Sequence, residues 1–135
     1  MTIIERLRQY KELDPHKIAL IVDDKKYTYG DLYDAILSID INDASRIVNV
    51  AQTKESPKHI VALIQSQSFV EQLVQWLAGL YTGYIPMVCH NEMDTEYVEE
   101  LARIIAYKGV APLADFGVLT SGTTGRPKPL WRSES

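Results

Sequence analysis

The chain of 135 residues is expected to fold as a single α/β unit over 1–135, a layered and mostly parallel sheet with flanking helices. Three observations predict this. Two continuous apolar runs, "HIVALIQ" at 59–65 and "IPMVC" at 85–89, are of the kind buried on both faces of a parallel sheet. Segments with apolar residues at three- and four-residue spacing follow each of them, as amphipathic helices require. From residue 59 onward the order is strand, helix, strand, helix, strand, loop. That order asks for crossover connections, and these are normally right-handed.

Each element has its own local reason. Ile3, Ile4, Leu7, Tyr10 and Leu13 predict a first helix, stopped at Asp14-Pro15 because a residue before proline avoids the helical region. "KIALIVDDKKYTY" predicts a hairpin, with strands at 18–22 and 27–29 and a polar turn at 23–26. Gly30-Asp31 opens a helix through Leu32, Tyr33, Ile36 and Leu37. In 40–56, Ala44, Ile47, Val48 and Ala51 have helical spacing while "RIVNV" also reads as a strand; helix is the expectation. A helix over 69–81 closes at Gly83, and "EYVEELARIIAY" follows a cap at Asp94 or Thr95 and ends at Gly109. "DFGVLT" at 115–120 is the last expected strand.

Composition narrows the function. At 46% hydrophobic and 24% charged residues the chain lies in the range of soluble globular domains. A net charge of −4 and no basic run give no electrostatic reason to expect nucleic acid. Cys89, the single cysteine, makes no internal disulfide, which fits a reducing cytoplasm. The start carries Glu5, Arg6, Arg8 and Lys11, unlike a signal peptide. The most apolar stretch, 69–88, is interrupted by Glu71, Gln72, Gln75, Gly79 and Gly83, so no transmembrane segment is expected.

The chemistry concentrates in "TSGTTGRPK", residues 120–128. Gly122 and Gly125 allow backbone conformations that turn several N–H groups to one point, a nest for an anion. Thr120, Ser121, Thr123 and Thr124 add hydroxyls, and Lys128 adds a point charge suited to polyphosphate. Arg126 could do the same, and Pro127 stiffens the exit. It is no P-loop of the G-x-x-x-x-G-K-[ST] type, because Thr123 stands where the lysine belongs after Gly117 and Gly122. A loop after a strand, at the carboxyl end of an α/β sheet, is where such sheets bind ligands.

The stretch closely resembles the phosphate-binding signature of the adenylate-forming superfamily, T-S-G-[ST]-T-G-x-P-K-G, matching from Thr120 to Lys128. "ALIVDDKKYTYGDL" and "IVALIQSQSFVEQLVQWLAGLYTGYIPMV", with Gly83 and Pro86, resemble earlier stretches of those enzymes in the same order. The chain departs in two places: Pro129 replaces the glycine after the lysine, and only about 30 residues separate "IPMV" from the signature. It looks most like a compact bacterial acyl-CoA synthetase. The resemblance implies the N-terminal part of the large domain of such an enzyme, ending just after the loop. It implies ATP and Mg²⁺ as cofactors, a small-molecule carboxylic acid as substrate, and CoA or a carrier-protein thiol as acceptor. Thr120, Ser121, Gly122, Thr123, Thr124, Gly125 and Lys128 would bind the ATP phosphates, with Thr120 or Thr123 near Mg²⁺. The family's adenine and acid pockets and its late catalytic lysine lie downstream, so the chain is expected to be an N-terminal fragment, inactive without the remainder. The competing expectation is a noncatalytic binding or dimerisation module derived from this fold, with self-association through exposed apolar surface.

Other suggestive residues carry plainer readings. "Asp115-Phe116-Gly117" copies the kinase magnesium motif but lacks every companion motif, and reads as the entry to a strand. Cys89 and His90 are neighbours on a strand and point to opposite faces. His16 and His59 read as solvated surface, the acidic cluster at 92–100 as a helix's first turn and exposed face, and Trp76, Tyr81 and Tyr84 as core or domain contacts.

Overall fold

The computed structural model of the chain describes residues 1–120 and 128–134. Helix α1 (Ile3–Leu13) opens with a capping box in which the Thr2 hydroxyl accepts from Glu5 N–H and the Glu5 carboxylate accepts from Thr2 N–H, both at 3.1 Å. Strands β1 (Ile18–Val22) and β2 (Lys25–Thr28) pair as an antiparallel hairpin. Asp23 and Asp24, at φ 50° and 66°, make its turn, the positive angles that match the twist of the flanking strands. Thr28 and Asp31 repeat the capping box at α2 (Tyr29–Ser38).

The 40–56 segment is not the expected helix. It holds one short helix, α3 (Ile41–Ala44), and then strand β3 (Arg46–Asn49), which pairs antiparallel with β4 (Ile60–Ile64). Val48 and Val50, two residues apart, enter the core together as strand periodicity requires. The partner strand settles a segment whose local spacing fits both states.

Helix α4 (Phe69–Thr82) starts at the Ser68 cap and ends at Gly83, whose φ of 85° is the left-handed stop glycine favours. Strand β5 (Ile85–Val88) follows, then α5 (Thr95–Lys108), capped by the Asp94 carboxylate accepting from Tyr97 N–H at 2.8 Å. Strand β6 (Phe116–Thr120) and a strand the sequence reading did not anticipate, β7 (Lys128–Arg132), complete the sheet.

The main sheet has the order β3-β4-β5-β6-β7. Its centre, β4-β5-β6, is parallel as expected, while β3 and β7 are antiparallel edges, so the sheet is mixed. One core lies between the sheet and α5, built from Val61, Leu63, Ile85, Met87 and Cys89 against Val98, Leu101 and Ile105. The second lies among α1, α2 and α4, from Leu7, Leu32, Ile36, Val74 and Leu77. Gly79 brings α4 against the sheet: a Cβ there would lie 3.0 Å from the Pro86 Cβ. Pro86 points opposite to Ile85 and Met87, so α4 and α5 cover opposite faces. Both crossovers step the same way across the sheet, from β4 to β5 and from β5 to β6. They therefore have opposite hands, and the right-handed expectation holds for one of the two. Helix α5 also reaches back to the antiparallel edge, where it contacts β3.

Candidate functional site at the β6–β7 hairpin

Of the residues expected to hold phosphate, Thr120 and Lys128 are described; Ser121, Gly122, Thr123, Thr124 and Gly125 lie outside the described residues, with Arg126 and Pro127. Thr120 and Lys128 are cross-strand partners at the ends of β6 and β7. The Thr120 hydroxyl donates to the Lys128 carbonyl oxygen at 3.2 Å and accepts from Lys128 N–H at 3.4 Å. The first threonine and the lysine of the signature are thus bonded to each other across the ends of β6 and β7.

Alternation sorts the side chains of this hairpin. Gly117 faces Met87 and the α5 side, so Phe116, Val118 and Thr120 face the α4 side, where the Phe116 ring meets Trp76 edge-on at 5.5 Å. Leu130 pairs with Val118 and Lys128 with Thr120, which sets both on that same side. An open apolar groove of about 680 Å³ lies there, lined by Trp76, Val88, Phe116 and Val118, with His90 and Thr120 among its polar members. The His90 ring accepts from Glu92 N–H through Nδ1 at 3.1 Å, so the neutral ring carries its proton on Nε2. From the sequence, Trp76 reads as a core or domain contact and Phe116 as the entry to a strand, which β6 is. Their joint wall had no local signal, because it forms only when α4 crosses β6.

At the opposite end of the hairpin is a polar cluster the sequence reading missed. Asp115 N–H donates to the Arg132 carbonyl at 2.7 Å, and its carboxylate accepts from Glu134 N–H and from Lys58 Nζ, each at 2.8 Å. Burial pushes the Asp115 carboxyl up, but the bonds from Lys58 and Glu134 and the lysine charge outweigh it, leaving the group below its ordinary value. Glu134 in turn accepts from Ile3 N–H at 2.8 Å, satisfying an orphan donor of α1.

Cys89 holds the structural role expected of it. Cys89 is buried in the α5-side core and desolvation raises its thiol to about 11, so it stays protonated and unreactive near neutrality. Among the described residues no group of three or more His, Cys, Asp or Glu is arranged to hold a metal ion. No helix among them is long and apolar enough to cross a membrane.

The mixed sheet with its flanking helices has the fold of the N-terminal part of adenylate-forming enzymes. No protein-family model matches the chain. A Staphylococcus epidermidis protein, VraA, described as a candidate long chain fatty acid-CoA ligase, is 26% identical over 152 aligned positions, covering 98% of this chain and 31% of that protein. The N-terminal subdomain of Klebsiella oxytoca NpsA, in complex with 3-hydroxyanthranilyl-AMSN, superposes with a TM-score of 0.59 at 17% identity, over 98% of this chain and 40% of that one. The Bacillus subtilis o-succinylbenzoate CoA synthetase MenE, bound with its product analogue OSB-NCoA, gives 0.60 at 16% identity, over 98% and 33%. The chain therefore spans about a third of the length of the curated relative and a third to two-fifths of these solved chains.

Proposed function

We propose that the chain forms the phosphate-binding wall of an ATP-dependent carboxylate-activating ligase. The observation that carries this is the Thr120–Lys128 pair, which closes the signature loop at the carboxyl end of β6 beside an apolar groove. In the reaction this reading assigns, a carboxylate oxygen attacks the α-phosphorus of ATP. The bond to the bridging oxygen breaks, and its electron pair leaves with pyrophosphate. A thiol, of CoA or a carrier protein, then takes the acyl group and AMP departs.

Charge builds on the β- and γ-phosphates during the first step, so donors fixed beforehand lower its barrier. Lys128 would meet the leaving pyrophosphate, and Ser121, Gly122, Thr123, Thr124 and Gly125 would cradle the phosphates. The Thr120 hydroxyl, with one lone pair used by Lys128 N–H, keeps a second for a ligand. Mg²⁺, when bound, would supply countercharge to the same phosphates; Thr120 or Thr123 would stand nearest, with the phosphates as its main ligands. The acid's apolar body would lie along Trp76, Phe116 and Val118, with the remaining walls of the site supplied by the further length its relatives possess. Such an enzyme works with cytoplasmic ATP, and a fatty or aromatic acid suits the groove.

The test has two arms. Titrating Mg²⁺-pyrophosphate into the chain and following heat should show binding, weakened about tenfold by Lys128→Ala, the loss of one charge-assisted contact. In a protein extended to the relatives' length, ATP–pyrophosphate exchange across a panel of acids should identify the substrate. No binding by the chain and no exchange with any acid defeats the proposal. A second reading, a noncatalytic binding or dimerisation module, is favoured by the exposed apolar side chains of Val118, Leu130 and Phe69, at 45%, 39% and 58% exposure. It predicts concentration-dependent dimers by sedimentation and no response to pyrophosphate.

A further inference from the structure

The strand that carries Lys128 is held on its core side by Trp131, packed over Gly117, and is exposed along its other face. Among the described residues β7 is an edge strand with β6 as its neighbour. Lys128, Leu130 and Arg132 are exposed, and Pro129 contributes no N–H to a ladder. A slip of one residue would send Trp131 to the wrong face and carry Lys128 away from Thr120. At its far end, however, the hairpin is tied at four points: Asp115 N–H to the Arg132 carbonyl, Glu134 N–H to the Asp115 carboxylate, Lys58 Nζ to the same carboxylate, and Ile3 N–H to the Glu134 carboxylate. The Asp115 side chain extends the β6–β7 ladder one rung past the last backbone pair. Lys58 then anchors it to the segment just before β4, a central strand, 57 residues away in sequence. Both side chains are partly buried, at 29% and 25% exposure, so the pair is shielded from solvent more than a surface bridge.

We infer that Asp115 and Lys58 are positioning residues for the phosphate loop, a clamp at the open end of the β6–β7 hairpin that sets the register placing Lys128 opposite Thr120. The inference rests on the phosphate reading of that loop. The clamp lies five strand residues from Thr120, roughly 17 Å at the usual rise, so it reaches no ligand there directly. Its charges also act weakly at that distance, beyond a Debye length of about 8 Å. The transmitted quantity is the position of β7.

Amide exchange and cross-strand NOEs measured by NMR on Asp115→Asn, Lys58→Met and Lys58→Arg test this, with Mg²⁺-pyrophosphate titration as a second readout. The expected result in Asp115→Asn and Lys58→Met is loss of the Thr120–Lys128 NOE and exchange about tenfold faster at Lys128 and Leu130, with β4 and β5 amides unchanged. Pyrophosphate should bind these two about fivefold more weakly, and Lys58→Arg should restore both readouts. Unchanged β7 amides in both variants overturn the clamp. So does uniform acceleration across all strands, the mark of plain destabilisation. If the unsubstituted chain binds no pyrophosphate, the phosphate reading falls and the positioning role falls with it, while the exchange data still report whether the clamp holds β7.

Discussion

At the residue scale the tightest constraint is Gly117. A Cβ there would sit within contact distance of Met87 Cε and 2.7 Å from Trp131 Cζ3. Glycine at this point has no unusual backbone angle to serve; it is there because the indole of β7 lies across β6. Met87 Cε is the end of a flexible side chain and can turn aside, whereas the Trp131 ring is rigid, so the clash falls mainly on Trp131, and on β7 with it. Gly117→Ala should therefore cost about 1–3 kcal/mol in urea unfolding, the range for overpacking a filled core. Trp131→Leu in the same chain should recover part of the loss, because a shorter side chain clears the new methyl. Lost stability with no recovery would place the strain at Met87 instead. The glycine sits inside "DFG", so the likeness to a kinase motif reflects strand packing.

At the element scale, most of the fold was legible where local chemistry and tertiary context agree. α1, β1, α4, β5 and α5 follow their spacing and their caps, with Asp14-Pro15, Gly83 and Gly109 at the stops. β3 was misread because Ala44, Ile47, Val48 and Ala51 also fit a helix, and nothing within the segment announces that β4 waits beside it. β7 was missed because "KPLWR" holds a proline and alternates only weakly; edge strands accept both. In the site, the loop was legible as a motif, but the Asp115–Lys58 clamp and the Trp76–Phe116 wall were not. Those pairs are joined by topology across 57 and 40 positions, a separation no local pattern spans. The caps themselves are testable: Asp94→Ala removes the acceptor for Tyr97 N–H and should lower stability by about 1 kcal/mol by thermal unfolding, with Asp94→Ser close to neutral.

At the scale of the whole molecule, acid stability should follow from three carboxylates held below their ordinary values. Asp31 accepts from Thr28 N–H within its capping box, beside the Thr28 hydroxyl, Glu99 meets Arg46 at 2.7 Å, and Asp115 meets Lys58 and Glu134 N–H. A carboxyl depressed in the folded state binds fewer protons there than in the unfolded chain. Its contribution is therefore complete above the unfolded value, near 4, and disappears as pH falls through the folded one. Asp31 and Glu99 stand in solvent, where salt and water screen their gains. Asp115 is the partly buried member, and its partners join β6, β7 and the segment before β4 in one network. Urea midpoints measured between about pH 6 and pH 3 should fall on the acid side, and Asp115→Asn should flatten that fall more than Asp31→Asn or Glu99→Gln. A flattening shared equally by the three variants would mean that acid lability is general charge repulsion rather than release of the hairpin. A dominant effect of Asp115 would tie the acid limb of the whole chain to the strand that presents Lys128.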